Sequence, residues 1–398
     1  MRRQASTVGS DKKRRRVLVV VTFAVGGIRT YMRYVYSRLN REKYAFTILA
    51  YDSSEREALE EDAKHYQTDK LIFIKPRYGY RLLFWSVLRE VLKERYDLIH
   101  SQGIFAAFNV GLVNFLFGIP HIFTVHGLLE ESDLKGFSLL RSLKLNLLSF
   151  VLKSADVMHH VSQDMVEQYR KLLPGVENSK CKIVMISHGI DVESYAEEKR
   201  CKAGSLRNDL GIGCKVFLIG YLGRFMDRKG FPILIDAVQI IETENLIEKE
   251  YLIIAVGSGD RQKRYFREVN KRGLSNKIKF IPFRQHVQPI ISEMDLIIMP
   301  SLWEACGLLA MEVLCIGTPL IASDCLGLRE VTKDTPTISV PTGNAQALAE
   351  AIAMAVKSPA DEEFERFRGE AYRRFDVRHS AVGLEKIYDL LCKTKLGA

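Results

Sequence analysis

Two glutamates near residue 300 have the spacing and the surroundings of a ligand-binding loop. The segment runs from Pro300 to Ala322 and places Glu304 and Glu312 on either side of Gly307. Glu304 follows a predicted strand, and a helical pattern begins at Gly307. The first turn of a helix offers N–H groups and a positive dipole end, which can hold a phosphate or a sugar oxygen. Two isolated glutamates would more simply cap a helix or face solvent, but here glycines and a proline mark turns on both sides.

This segment resembles the signature of the retaining GT-B glycosyltransferases of family four, the glycosyl transferases group 1. It repeats the family's Glu-x-x-Gly-x-x-x-x-Glu core and the Gly-x-Pro that follows. Ala305 and Cys306 stand where the family often has glycine and phenylalanine, and Val313 replaces a common alanine. Both glutamates and the glycine between them are kept. The resemblance extends from about Arg15 to about Lys393.

The resemblance implies an α/β protein with the GT-B fold, in which two Rossmann-like domains carry parallel sheets that face an interdomain cleft. It implies an enzyme of the hexosyltransferase class that moves a sugar from a UDP- or GDP-sugar to a glycan or lipid-linked acceptor, with retention. Cell-surface polysaccharide or glycolipid synthesis is the expected setting. Two alternatives stay open. A sugar-nucleotide epimerase of this fold would need its own acid and base residues, and a non-catalytic membrane-associated scaffold would be expected to lose Glu304, Arg224 or Lys229.

A second constellation carries cations in the loop that follows the first strand of the second half. Arg224 and Lys229 lie between Gly223 and Gly230, with Arg228 beside them. A departing diphosphate needs fixed positive charge on its oxygens, and arginine offers a two-pronged fork where lysine offers a point charge. An exposed basic loop is the alternative. By resemblance, this is the family's Gly-Arg-x-x-x-x-Lys-Gly diphosphate clamp.

Glycines and a histidine follow strands of the first half. Gly26 and Gly27 let the backbone approach a ligand closely, although an ordinary turn explains the pair equally well. The family's glycine loop lies against the donor phosphate and the acceptor, which places Arg29 and Tyr31 on the acceptor side. His126 stands at the carboxyl end of a predicted strand, and the family has a histidine here that contacts the donor sugar. The sequence therefore predicts His126 as a site residue.

The resemblance completes the predicted site. Loops with Gly257, Phe283 and Arg284 would surround the base, Glu312 would hold the ribose, and Glu304 with the amides of Gly307–Leu309 would orient the sugar. The predicted donor-binding set is Gly26, Gly27, Arg224, Lys229, Gly257, Phe283, Arg284, Glu304, Gly307, Leu308, Leu309 and Glu312, and the predicted catalytic set is Glu304, His126, Arg224 and Lys229. No Asp-x-Asp motif has a convincing position, so we predict chemistry without a metal and without a cofactor other than the donor substrate.

Alternating strands and helices position these loops. Short apolar runs separated by helical patterns are typical of parallel sheets covered by helices, and ligands bind at the carboxyl ends of such strands. The predicted strands are Arg16–Thr22, Phe46–Tyr51, Lys70–Ile74, Leu98–His100 and His121–Val125 in the first half, and Val216–Tyr221, Tyr251–Val256, Lys279–Pro282, Leu296–Met299 and Pro319–Ala322 in the second.

The length of 398 residues fits two domains. We predict a basic flexible tail over 1–15, an acceptor-side Rossmann-like domain over 16–195 and a linker over 196–213. A nucleotide-sugar-binding Rossmann-like domain follows over 214–375. The last helix, within 376–398, is predicted to cross back to the first domain.

Charge and cysteine content indicate where the protein works. The net charge of +10 falls to +4 without residues 1–16, so the excess belongs to the tail. A solvated tail and adhesion to anionic lipid are both consistent with it. The cationic aromatic segment Lys75–Arg81 fits an exposed loop, or a contact with lipid head groups or an anionic acceptor. The leucine-rich segment Gly136–Lys153 fits a core helix or one lying on a membrane. The seven cysteines form no C-x-x-C pair, no apolar run could span a bilayer, and no nucleic-acid motif accompanies the charge. We expect a cytoplasmic protein, peripheral to the membrane at most.

Overall fold

The computed structural model describes residues 14–53, 55–66, 68–75, 81–127, 138–173, 175–196, 205–284 and 286–394. The chain divides into two compact units. Unit 1 comprises residues up to His160, Arg170–Val184 and the segment from Ala381, and unit 2 comprises Val161–Tyr169 and Met185–Ser380. Residues 1–13, residues 197–204 of the predicted linker and 76–80 in the cationic aromatic segment lie outside the described residues.

Unit 1 is built on a seven-stranded sheet. Its elements are β1 Arg15–Val21, α1 Gly26–Tyr36, β2 Tyr44–Tyr51, α2 Arg56–His65, β3 Lys70–Ile74, α3 Arg81–Lys93, β4 Leu98–Gln102, α4 Ile104–Phe117, β5 His121–Val125, α5 Ser138–Lys153, β6 Val157–His160, α6 Gln163–Leu172 and β7 Lys182–Met185. The residues of α6 up to Tyr169, and Met185 at the end of β7, belong to unit 2. The strand order is β3-β2-β1-β4-β5-β6-β7. The run Val17–Val21 is fully buried because a parallel strand in mid-sheet is covered by helices on both faces.

The strand order of this sheet reverses between β1 and β4. β1 pairs with β2 on one side and with β4 on the other, and both pairings are parallel. Loops that leave the carboxyl ends of two such strands diverge to opposite faces and leave a crevice. The carboxyl ends of β1, β4 and β5 therefore lie close together, and Gly26, Gln102 and His126 stand at these ends or shortly after them.

Unit 2 repeats this architecture with six strands. Its elements are α7 Glu193–Ala196, α8 Ser205–Leu210, β8 Phe217–Leu222, α9 Phe231–Glu244, β9 Tyr251–Gly257, α10 Gln262–Lys271, β10 Ile278–Pro282, α11 Gln288–Glu293, β11 Leu296–Met299, α12 Leu308–Ile316, β12 Leu320–Ser323, α13 Leu328–Thr332, β13 Ile338–Val340, α14 Ala345–Lys357, α15 Asp361–Arg374 and α16 Val377–Thr394. The strand order is β10-β9-β8-β11-β12-β13, with parallel pairings throughout. Its order reverses between β8 and β11.

The strands predicted from apolar runs are all present, with ends that differ by one or two residues. Three further strands of three or four residues each, β6, β7 and β13, were not predicted. The last helix begins in unit 2, and its residues from Ala381 belong to unit 1, where Tyr388 is fully buried. Among the described residues, no helix has the length and apolar character needed to cross a membrane.

Candidate functional site

The reversal of strand order in unit 2 brings its two charged loops together. One loop follows β8 and carries the cations, and the other follows β11 and carries the first glutamate. Leu302 N–H donates to the Arg228 carbonyl at 2.8 Å, and the Arg228 guanidinium lies 5.5 Å from the Trp303 ring centroid. The two loops, about 75 residues apart in sequence, form one continuous surface at the carboxyl edge of the sheet.

Lys229 and Glu304 form a two-pronged ion pair at the centre of this surface. The Lys229 ammonium donates to both carboxylate oxygens of Glu304, at 2.6 and 2.8 Å. The Ser301 hydroxyl donates to the same carboxylate at 2.8 Å. The Glu304 side chain is only 11% exposed and that of Lys229 is 28% exposed. These charged and polar donors compensate for the loss of water around a carboxylate this deep.

Glycines allow the loops to pack this closely. Gly230, in the left-handed region at φ +71°, begins α9, and a Cβ there would lie 1.7 Å from the Pro300 carbonyl oxygen. Gly327 has φ +76°, and a Cβ there would lie 2.2 Å from the Glu304 carbonyl oxygen. Neither contact can be relieved by a side-chain rotation, because the clashing atoms belong to the backbone. The glycines thus fix the position of the pair formed by Lys229 and Glu304.

The helix α12 begins directly beside this pair. Gly307 precedes it in the left-handed region at φ +43°, and the first hydrogen-bonded amide of the helix is that of Ala310, which donates to the Gly307 carbonyl at 2.9 Å. The N–H groups of Leu308 and Leu309 precede this first helical hydrogen bond and are available to an anion. Glu312 lies one turn further along the same helix and is half-buried.

The remaining predicted donor contacts of unit 2 lie in loops at the same edge of the sheet. Arg224 follows β8 and is exposed. Gly257 ends β9, and a Cβ there would lie 1.9 Å from the Gly223 carbonyl oxygen, so the loop after β9 packs on the loop that holds Arg224. Phe283 and Arg284 follow β10, where both side chains are exposed, Phe283 by 61%.

In unit 1, His126 is held by a glutamine that the sequence analysis did not single out. The Gln102 amide nitrogen donates to the Tyr36 hydroxyl at 2.7 Å, so its oxygen faces His126 Nε2 at 2.6 Å. This orientation requires the proton on Nε2 of His126. The Tyr31 ring packs edge-on against the His126 ring, with centroids 4.9 Å apart. Gly26 and Gly27 stand one turn before Tyr31, at the start of α1.

A buried polar network lies behind Gln102. His100 contacts the hydroxyl groups of Tyr388 at 2.6 Å and Thr124 at 2.7 Å. Burial holds the pKa of His100 well below its ordinary value, and the neighbouring histidines lower it further. Burial also lowers the pKa of His121, which Ser101 contacts at 2.9 Å, to about 3. These histidines are therefore neutral at physiological pH and serve the packing of unit 1.

Arg29 forms ion pairs within unit 1. Its side chain is 14% exposed and contacts Glu55 at 3.1 Å and Asp62 at 3.5 Å. Glu55 immediately precedes α2, and Asp62 lies in the second half of that helix. The guanidinium thus joins α1 to α2, and its place on the acceptor side stays a prediction.

Two polar residues of the site escaped prediction, although each has a recognisable signal. Ser301 and Gln102 stand at the carboxyl ends of buried strands, where a polar side chain is unusual and ligands bind. Gly327 gave no signal, because its partner is a backbone atom of a distant loop. Cys306, close to Glu304 in sequence, is buried, and burial raises the pKa of its thiol to about 12, so it is not a nucleophile at neutral pH.

Comparison with known proteins covers both units. The family model described as Glycosyltransferase Family 4 matches residues 25–194, and the model Glycosyl transferases group 1 matches residues 204–374. The chain is 26% identical over 314 residues to the O-antigen biosynthesis glycosyltransferase WclY of Escherichia coli, covering 78% of this chain and 84% of that protein. It is 25% identical over 248 residues to the UDP-Gal:alpha-D-GlcNAc-diphosphoundecaprenol alpha-1,3-galactosyltransferase of Escherichia coli, covering 61% of each.

Solved structures agree on the fold. The crystal structure of Anabaena Alr3699/HepE in complex with UDP and glucose superimposes with a TM-score of 0.77 at 20% identity, covering 94% of this chain and 99% of that one. The two family models together span nearly all of the part that the structure describes, and each falls on one Rossmann-like half. The chain is therefore a glycosyltransferase that belongs to family four, with the GT-B fold.

Proposed function

We propose that this enzyme transfers a hexose, with retention of anomeric configuration, from a UDP- or GDP-sugar to a glycan or lipid-linked acceptor in cell-surface polysaccharide or glycolipid synthesis. The pair formed by Lys229 and Glu304 at the reversal point of unit 2 is the observation that carries the proposal. UDP is the favoured nucleotide, because HepE was solved with UDP and the galactosyltransferase relative is named for UDP-Gal. The lipid-linked acceptor named for that relative is the model for the acceptor proposed here.

The cations of unit 2 would receive the diphosphate. Lys229 has three N–H donors, and Glu304 accepts two of them. The third can donate to a phosphate oxygen without breaking the ion pair. Arg224, exposed in the same loop, would add a two-pronged contact, and the free amides at the start of α12 would add two more donors. This arrangement neutralises the leaving group without requiring a metal ion, so we propose transfer that is independent of metal.

A front-face reaction suits these residues better than a covalent intermediate. The bond between the anomeric carbon and the phosphate oxygen breaks, the acceptor hydroxyl oxygen bonds to that carbon from the same side, and its proton passes to the departing phosphate oxygen. Glu304 would be a poor nucleophile, because its carboxylate accepts three hydrogen bonds from Lys229 and Ser301. We propose that it orients the sugar instead, that Glu312 holds the ribose, and that His126 contacts the donor sugar.

Product analysis tests this proposal. The full chain is incubated with UDP-glucose, UDP-galactose, UDP-N-acetylglucosamine and GDP-mannose together with lipid-linked and soluble acceptors, with and without EDTA. We expect one donor to give a product whose glycosidic bond keeps the donor's anomeric configuration by NMR, at a rate unchanged by EDTA. An inverted product, interconversion of the donor without transfer, or loss of transfer in EDTA would each contradict part of the proposal.

Affinity for the nucleotide tests the clamp separately. Arg224→Ala should weaken UDP binding, measured by calorimetry, about 10- to 100-fold, because it removes charge-assisted hydrogen bonds to phosphate. The matched control is Arg366→Ala, since Arg366 is an exposed arginine of the same unit whose partner is Glu362 on its own helix. Equal UDP affinity in the two variants would remove Arg224 from the clamp.

A further inference from the structure

Three helices of unit 1 form one layer on the same side of its sheet. The connections from β3 to β4, from β4 to β5 and from β5 to β6 all advance in the same direction along the strand order. Because such crossovers are right-handed, the helices that make them, α3, α4 and α5, lie on one face. Neighbouring helices of this layer pack on one another, α3 on α4 and α4 on α5.

The outer surface of this layer is unusually apolar. Each helix has large apolar side chains on its outer side, and all of them are at least half exposed. They are Trp85 and Leu92 on α3, Phe105, Phe115 and Leu116 on α4, and Leu143, Leu147 and Phe150 on α5. We call this set the α3–α4–α5 face. Monomeric soluble proteins seldom leave such a stripe on three adjacent helices uncovered.

Two details make this face continuous. Phe115 of α4 and Phe150 of α5 stack with ring centroids 5.5 Å apart and planes inclined by 15°, although both are exposed. α4 contains no charged residue, and Asn109 and Asn114 are the two polar residues among its fourteen. A helix of this kind is normally buried on all sides, so its outer side is suited to an apolar partner.

The charges around the face are almost all positive. The three helices contain six basic residues and a single acidic one, Glu90. Glu90 is buried and receives the Lys70 ammonium at 2.6 Å, so it contributes no negative charge to the outer surface. Arg89, Lys93 and Lys144 are exposed among the apolar side chains. An apolar stripe edged with cations matches the interface of a membrane that contains anionic lipids.

We propose that the α3–α4–α5 face binds the surface of an anionic lipid bilayer, with its aromatic and leucine side chains inserted at the level of the head groups. A second copy of the chain fits the face less well. A two-fold dimer would place Arg89, Lys93 and Lys144 of each copy against those of the other, and like charges held together destabilise an interface. This role lies beyond sugar transfer and does not depend on the identity of the donor or acceptor.

Vesicle flotation with the full-length enzyme tests the proposal. Vesicles of phosphatidylcholine alone are compared with vesicles of phosphatidylcholine and phosphatidylglycerol. The double variant Leu147→Ser and Phe150→Ser removes two exposed side chains of α5, and Met354→Ser, an equally exposed apolar position on α14, is the control. We expect binding only to the anionic vesicles, weakened about tenfold or more in the double variant and unchanged in the control. Lys144→Glu should weaken it about fivefold.

A tryptophan reporter separates this face from the basic tail. The chain has two tryptophans, so Trp303→Phe leaves Trp85, 62% exposed, as the single reporter. Anionic vesicles carrying brominated acyl chains should quench Trp85. The proposal is overturned if the protein does not bind anionic vesicles. It is also overturned if deletion of residues 1–13 abolishes binding and Trp85 is not quenched. A dimer in light scattering that the α5 double variant abolishes would overturn it as well. Transfer to a soluble acceptor, assayed in parallel, reports on the proposed function alone.

Discussion

Removal of the Lys229 ammonium should destabilise unit 2 more than neutralising its partner does. Lys229→Met leaves the Glu304 carboxylate, 11% exposed, with only the Ser301 hydroxyl. Breaking a fully buried pair costs about 3–5 kcal/mol and an exposed one about 0–1 kcal/mol. Since Lys229 is 28% exposed, we expect a loss of about 2 kcal/mol. Glu304→Gln should cost less, about 1 kcal/mol, because water can solvate the more exposed ammonium.

Urea unfolding of unit 2 measures these losses. In a Trp85→Phe background, Trp303 is the remaining tryptophan, and its position beside Glu304 confines the signal to unit 2. The variant that carries both Lys229→Met and Glu304→Gln should recover about 1–2 kcal/mol relative to the sum of the single losses. Lys357→Met, at an exposed position on α14, is the control for loss of a lysine. The reasoning is refuted if Lys229→Met costs no more than this control, or if Glu304→Gln is the more damaging change.

Three further predictions concern other parts of the structure. Gly327→Ala should lower the free energy of unfolding by at least about 2 kcal/mol, measured by thermal unfolding. Gly273→Ala, at φ +74° with open space around it, should lower it by only about 1 kcal/mol. Equal losses in the two variants would contradict the backbone clash at Gly327. Burial lowers the pKa of His121 to about 3, so the folded protein keeps this side chain neutral, whereas the unfolded chain takes up a proton below the ordinary pKa of about 6.5. The free energy of unfolding of unit 1 should therefore fall as the pH falls from about 6.5. His121→Gln should reduce the slope of that free energy against pH by about 1.4 kcal/mol per pH unit. Gln102→Leu should lower kcat about tenfold with little change in donor KM, because it frees the His126 ring; an unchanged kcat would deny Gln102 a positioning role.

The sequence was sufficient to predict the fold and to select the residues of the candidate site, because those features are local. Apolar runs of three to seven residues predicted most of the strands, whereas β13, with three residues, is defined by its neighbour β12 rather than by its own pattern. Glu304 and Lys229 were recognised from motifs of about ten residues. The ion pairs of Arg29 with Glu55 and Asp62 could not be predicted, because neither partner belongs to the motif that contains Arg29.

The pairing of Lys229 with Glu304 could not be predicted from either motif. One motif assigned the lysine to a diphosphate and the other assigned the glutamate to a sugar, as though the two charges acted independently. Only the strand order, with β8 beside β11, brings the two loops together. The order depends on long-range packing of the sheet, for which a single sequence has no local signal.

This pairing changes how the clamp should be understood. An isolated lysine would have to exchange water for phosphate, and its flexible chain would have to be ordered during binding. Here the Glu304 carboxylate holds the ammonium, and Gly230, immediately after Lys229, packs against the Pro300 carbonyl. Part of the ordering cost is therefore met when the protein folds. The carboxylate also lowers the net charge of the clamp, so that affinity for the diphosphate should depend on Arg224 and the α12 amides as much as on Lys229.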